Sequence, residues 1–165
     1  MKSIFLSFSP EWYPYIENGK KIYEHRKRFC DEPVIAFLYL GLPIQKIVAI
    51  LELGKRIDMK LWLEQYKEDP MAVERIENSL KRNNYAMEIR KVQFIEPIPI
   101  KEVIEQFPDF HIPQSYFYLD NKKELFEFIQ IDGKKTVVDG CDYWVSENYL
   151  FVSYDGGKLR TFEIK

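Results

Sequence analysis

Seven consecutive apolar residues, Val34–Leu40 (VIAFLYL), constrain this chain more than any other feature. A short, continuous apolar run of this kind fits a central strand covered on both faces. The segments around it must therefore supply neighbouring strands and the layers that cover them. Residues 4–8 alternate enough to form a strand, and Ser9-Pro10-Glu11 then offers an N-cap, a first-turn proline and an acid suited to the helix dipole. This predicts a helix over residues 10–18, bent near its start by Pro14 and stopped at Gly19. Residues 21–29 place Tyr23, His25 and Phe29 on one parity and Ile22, Glu24, Arg26 and Arg28 on the other, as a strand does. After the turn Gly41-Leu42-Pro43, residues 46–56 read as another strand, with a bulge expected at Gly54.

Helix formers occupy residues 58–65. Asp69-Pro70 then caps a second helix to Leu80, with Met71, Val73, Ile76 and Leu80 as its apolar stripe. Residues 85–95 alternate as a half-buried strand, which Pro97 and Pro99 are expected to end. A short helix over 101–107 leads to the turn Ile112-Pro113-Gln114-Ser115-Tyr116. The composition changes after Leu119: residues 121–129 form an amphipathic helix pattern, and 136–138, 143–145, 149–154 and 159–164 are short strand signals. Asp155-Gly156-Gly157 is a hairpin turn, so the carboxyl end reads as a β-meander. The expected class is α+β, with a largely antiparallel or mixed barrel-like sheet.

Composition excludes several functions. A chain of 165 residues with 46% apolar content can bury a core without disulfides or metals. Cys30 and Cys141 stand far apart with no second Cys or His at ligand spacing, so neither a zinc site nor a CxxC redox pair is expected. Zinc-deaminase, P-loop and Rossmann signatures are absent, and no cofactor is expected. The uncharged stretch over residues 34–45 is too short to span a bilayer and is broken by Gly41 and Pro43. The amino end lacks the continued apolar region of a signal peptide, and a cytoplasmic protein is expected. With 24 Lys+Arg against 26 Asp+Glu, the net charge of −2 gives no argument for a globally basic surface.

The charge is unevenly spread, however. Between Glu17 and Phe29 five basic residues face two acidic ones, a local net of +3. Such a strand can neutralise phosphates while an aromatic such as Tyr23 offers a stacking face. The alternative is a solvated edge strand whose charges deter sheet-to-sheet association. Glu24 and Arg26, two apart, share a face where an ion pair would hold both rigid. A carboxylate in a cleft can accept from the exocyclic amine of cytosine or adenine, and Lys or Arg can donate to carbonyls and phosphates. Lys21 has the opposite parity to Glu24 and joins it only if Lys21 lies in the turn after Gly19 or a bulge resets the pleat. Trp62 and Trp144 read as core or interface anchors. Trp12 and Tyr13 read as core, with the mouth of a cleft as the second option. His111 and Cys141 have nothing in the sequence to bring them together as a nucleophile pair.

The run LSFSPEWYPYIENGKKIYEHRKRF, followed by NYAMEIRKV and PQSYFYL, resembles the ASCH domain, a PUA-like fold, over residues 3–119. An opening strand-Pro-helix, a G-x-K-x-x-E-x-R segment, a Y-A-x-x-I strand and a P-Q-S-aromatic turn recur in that order. The resemblance implies a β-barrel core with flanking helices over residues 1–120, leaving 121–165 as an extension packed on or appended to it. It implies an RNA-binding or nucleic-acid-associated module, with RNA, a nucleotide or a nucleoside as ligand and a possible role in RNA metabolism or translation. Lys21, Glu24 and Arg26 would line the cleft, Lys27 and Arg28 would guide phosphate, and Gln114 and Ser115 would join the lining. Some small ASCH proteins are amidohydrolases that deacetylate N4-acetylcytidine, with a Lys, a Thr three residues later and a distant Glu. Here Lys21 matches the Lys, but Glu24 stands where the Thr would be. On that second reading Lys21 and Glu24 are catalytic, Glu24 acting as a general base, and Ser115 is the only replacement hydroxyl to nominate. A third reading makes 121–165 a protein-interaction or dimerisation segment and the chain a homodimer.

Overall fold

A computed structural model describes residues 1–134, 137–143, 149–155 and 158–163, with side chains described for residues 1–130. Strand β1 (Lys2–Phe8) is followed by a 3-10 turn (Pro10–Trp12) and helix α1 (Tyr13–Glu17). The edge strand β2 (Tyr23–Arg26) precedes β3 (Val34–Leu40) and β4 (Lys46–Leu53). The two-residue β5 (Ile57–Asp58) leads into helices α2 (Lys60–Gln65) and α3 (Pro70–Leu80), and then the long β6 (Tyr85–Pro99). Helix α4 (Ile100–Gln106), β7 (Tyr116–Tyr118), helix α5 (Lys123–Lys134) and strands β8 (Val137–Tyr143), β9 (Tyr149–Asp155) and β10 (Lys158–Glu163) complete the order.

The main sheet runs β2, β6, β4, β3, β1, β7, with β5 and β8 also paired to β6. Among the described residues only β1 and β3 run parallel, matching Phe5 to Phe37 and Leu6 to Leu38, so the sheet is mixed and curls into a half-barrel. The VIAFLYL run sits where a two-sided strand belongs. Ala36, Leu38 and Leu40 pack with Ile4, Leu6, Leu51 and Ile89 on one face. Phe37 and Tyr39 pack on the other with Phe5, Ile47 and Ile95, under Val103 of α4 and Leu125 and Ile129 of α5. A smaller cluster of Met59, Trp62, Ile76 and Ala86 fastens α2 and α3 to β6.

Several elements differ from the sequence expectation, each for a local reason. The first helix begins as a 3-10 turn because Pro10 and Pro14 both lack an amide donor. The strand expected over 21–29 shrinks to four residues, since Lys20 and Lys21 N–H both donate to Tyr15 O (2.9 and 2.8 Å) and hold the preceding chain in a turn. β6 runs through Pro97 and ends at Pro99. Its register against β4 jumps from Phe94–Ala49 to Ile98–Ile47, and Pro97 falls in that irregular stretch, where no regular ladder bond is lost. The bulge expected at Gly54 lies one step earlier, between Glu52 and Leu53; a Cβ at Gly54 would come within 2.8 Å of Arg90 Nε. Asp69 caps α3 as expected, accepting from Met71 and Ala72 N–H (both 3.2 Å). The helix buries Ala72 and Ile76, however, and leaves Met71 57% exposed.

The described residues of the carboxyl end form three strands. β8 is one strand paired to β6, while β9 and β10 form a separate antiparallel pair. Gly156 and Gly157 of the expected hairpin turn, and Trp144, lie outside the described residues, as does the Cys141 side chain. α5 contributes Leu125 and Ile129 to the second core cluster.

Candidate functional site

The site grows from one turn and one short strand. Gly19 adopts φ 73°, a left-handed conformation that glycine accepts without strain, and reverses the chain after α1. The turn it opens puts Lys21 outside the pleat of β2, which resolves the parity conflict: Lys21 Nζ lies 3.9 Å from Glu24 Oε2. β2 then pairs with β6 in antiparallel register, Glu24 opposite Met87. The Glu24 side chain is 6% exposed. Arg26 Nε donates to Glu24 Oε1 (3.0 Å), its Nη2 to Ser7 O (2.6 Å) and its Nη1 to Ser115 Oγ (3.3 Å). Ser7 Oγ donates to Pro113 O (2.7 Å), and Ser7 N–H to Ser115 O (2.9 Å). One guanidinium thus ties β2, β1 and the 113–115 turn together. Glu24 Oε2 is buried with no hydrogen-bond partner among the described residues.

Two adjoining cavities of about 600 and 450 Å³ open beside this carboxylate and share Phe8, Trp12, Glu24, His25 and Asn83. Lys21 lines the larger lobe and Arg26 the smaller. The opposite wall of the larger lobe comes from the end of α3 and the turn after it: Arg75, Asn78, Ser79, Lys81 and Arg82. Burial pushes the Lys21 ammonium below its usual range. Glu24 opposes that shift and Arg26 adds to it. Burial, and then the charge of Lys21, hold the His25 imidazole well below its usual value of 6.5. The rings of Tyr23 and Trp62 lie 6.4 and 6.3 Å from that imidazole.

Lys21, Glu24 and Arg26 therefore converge on one concavity, and Gln114 lines its smaller lobe. Ser115 stands behind Arg26 as its acceptor and lines neither lobe. Lys27 and Arg28 also line neither lobe. β2 ends at Arg26, Asn84 Nδ2 donates to Lys27 O (3.1 Å), and both cations are exposed past the strand end. Trp12 lines both lobes, and Tyr13 packs against Phe94. Trp62 is buried as an anchor. His111 is exposed. Among the described residues no group of three or more His, Cys, Asp or Glu is placed to hold a metal, and no helix is long and apolar enough to cross a membrane.

The sequence reading missed the α3 wall. Arg75, Asn78, Ser79 and Arg82 are spaced three and four apart, a polar helix face that was legible beside the apolar stripe. His25 was also passed over, because the strand parity set it opposite Glu24.

A mixed half-barrel with helices on its flanks and a polar cleft at the edge strand defines a PUA-like α+β domain. The chain has the ASCH-domain fold. The crystal structure of ASCH from Zymomonas mobilis is similar with a TM-score of 0.62 and 23% identity, covering 79% of this chain and 94% of that one. A serine-to-alanine mutant of that protein gives 0.60 and 21%, covering 79% and 96%. A tyrosine-to-phenylalanine mutant gives 0.62 and 21%, covering 79% and 98%. At these identities the likeness establishes the fold. The sequence matches no protein-family profile and no curated protein.

Proposed function

We propose that this chain binds single-stranded RNA or a nucleotide in the cleft between β2 and α3. The observation that carries the reading is Glu24 Oε2, a buried carboxylate oxygen without a hydrogen-bond partner among the described residues, in the wall of an open cavity. A buried acceptor left unmade is costly, and an exocyclic amine of cytosine or adenine supplies the missing donor. Lys21 beside it donates to a base carbonyl or a phosphate, and Trp12 offers a ring for stacking. Arg26 shapes the pocket, since its donors are already committed to Glu24, Ser7 and Ser115.

Titrating single-stranded RNA into the parent, Lys21→Ala and Glu24→Gln tests this reading. Each variant is expected to lose about tenfold in affinity, and Lys21→Ala to lower the salt slope by about one. Unchanged affinity and salt slope in both variants overturn it.

The position of Lys21, 3.9 Å from Glu24 in a buried setting that lowers its pKa, favours one second reading: hydrolysis of an acylated nucleoside such as N4-acetylcytidine. Glu24 would take a proton from water as its oxygen bonds to the acyl carbon. That proton would pass to the exocyclic nitrogen as the C–N bond breaks, releasing acetate. Incubation with N4-acetylcytidine is expected to release acetate from the parent and none from Lys21→Ala. No release above buffer, or release untouched by the substitution, removes this reading.

A further inference from the structure

The two lobes of the cleft share Glu24 but differ in charge. The larger holds Lys21, Arg75, Lys81 and Arg82 against one carboxylate. The smaller holds Arg26, already bound to three partners, amid Ser7, Tyr39, Pro113 and Gln114. The cations of the larger lobe come from two sides, Lys21 from the turn after Gly19 and the others from α3 and the turn that follows it. Lys81 and Arg82 have no ion-pair partner among the described residues. Basic residues at a helix carboxyl end are favoured by the helix dipole alone. These, however, share a cavity with the buried, unbonded Glu24 Oε2, and a dipole does not account for that.

We propose that the larger lobe is a phosphate subsite, so that the preferred ligand is an amino-bearing nucleotide and not the free nucleoside. The inference rests on the nucleotide reading above. The exocyclic amine of a cytosine or adenine base donates to Glu24 Oε2, the base lies against Trp12, and the phosphate attached to its ribose sits among Arg75, Lys81 and Arg82. A lobe of about 600 Å³ is ample for a nucleotide, since small-molecule sites span roughly 300–1,000 Å³. Guanidinium groups bind phosphate oxygens in a fixed fork, which gives Arg75 and Arg82 the larger part and Lys81 a point charge.

The test is an NMR titration of the full chain with cytidine, cytidine 5′- and 3′-monophosphate, uridine 5′-monophosphate and inorganic phosphate. At least one cytidine monophosphate is expected to bind about tenfold tighter than cytidine, with a gap that narrows as salt rises. In Arg75→Gln/Arg82→Gln that gap is expected to close while the preference for cytosine over uracil persists. Glu24→Gln is expected to do the reverse. Should the double variant fail to fold, Lys81→Gln, in the exposed turn, is expected to narrow the same gap about threefold. Equal affinity for cytidine and its monophosphates, with cytosine still preferred, overturns the subsite and leaves the nucleotide reading standing. Inorganic phosphate binding as tightly as the nucleotides also overturns the proposal. No binding of any nucleoside or nucleotide overturns both.

Discussion

Replacing Arg26 with methionine is expected to lower folding stability by about 3–5 kcal/mol, the cost of breaking a buried ion pair from one side. The Arg26 and Glu24 side chains are 16% and 6% exposed, so the carboxylate left behind recovers only part of its hydration. Lys21 Nζ, at 3.9 Å, is too distant to take over the 3.0 Å bond. Ser7 O loses a 2.6 Å donor in the same step, which loosens β1 and the 113–115 turn as well as β2. In a domain of this size each kcal/mol shifts Tm by about 2–4 °C, so thermal unfolding should shift by roughly 10 °C. Arg26→Lys keeps the charge but not the fork that reaches three acceptors, and is expected to recover only part of the loss. Glu24→Gln/Arg26→Met removes both charges, and its cost should fall below the sum of the single substitutions by at least about 1 kcal/mol. A Tm for Arg26→Met within about 1 °C of the parent would show that this network does not hold the cleft together.

That network also marks the limit of what the sequence could disclose. The VIAFLYL strand was legible because seven apolar residues in a row leave few alternatives, and the Asp69-Pro70 cap because it is entirely local. Glu24 and Arg26 were legible as a pair because a strand repeats every two residues. The partners that fix Arg26 were not, since Ser7 lies 19 residues away and Ser115 lies 89, and no periodicity links them. Lys21 posed a different difficulty. Parity within a strand excludes it from the face of Glu24, and only the left-handed turn at Gly19, with two amides donating to Tyr15 O, breaks that parity. Met71 is misplaced by the apolar stripe because α3 turns Ala72 and Ile76 inward, Ile76 clustering with Met59, Trp62 and Ala86. The same rotation carries Arg75, Asn78 and Ser79 to the cleft wall.

His25, half-buried with its Nε2 enclosed, gives the fold an acid sensitivity that begins well above the carboxylate range. In the folded chain, burial and the charge of Lys21 keep its imidazole neutral far below the usual value of 6.5, whereas in the unfolded chain it protonates near that value. Below pH 6.5 the unfolded state therefore binds one more proton than the folded state, and stability falls as the pH falls. The stabilisation is complete above the unfolded value and is lost toward the folded one. The slope approaches at most about 1.4 kcal/mol per pH unit below pH 6.5, where ordinary carboxylates have barely begun to titrate. His25→Gln is expected to flatten this slope in urea unfolding measured across that window. Lys21→Met, which removes the charge opposing protonation, should make it shallower without abolishing it. A parent whose stability is flat from pH 6.5 to 5 would show that the packing of β2 against Trp62 does not keep His25 from protonating.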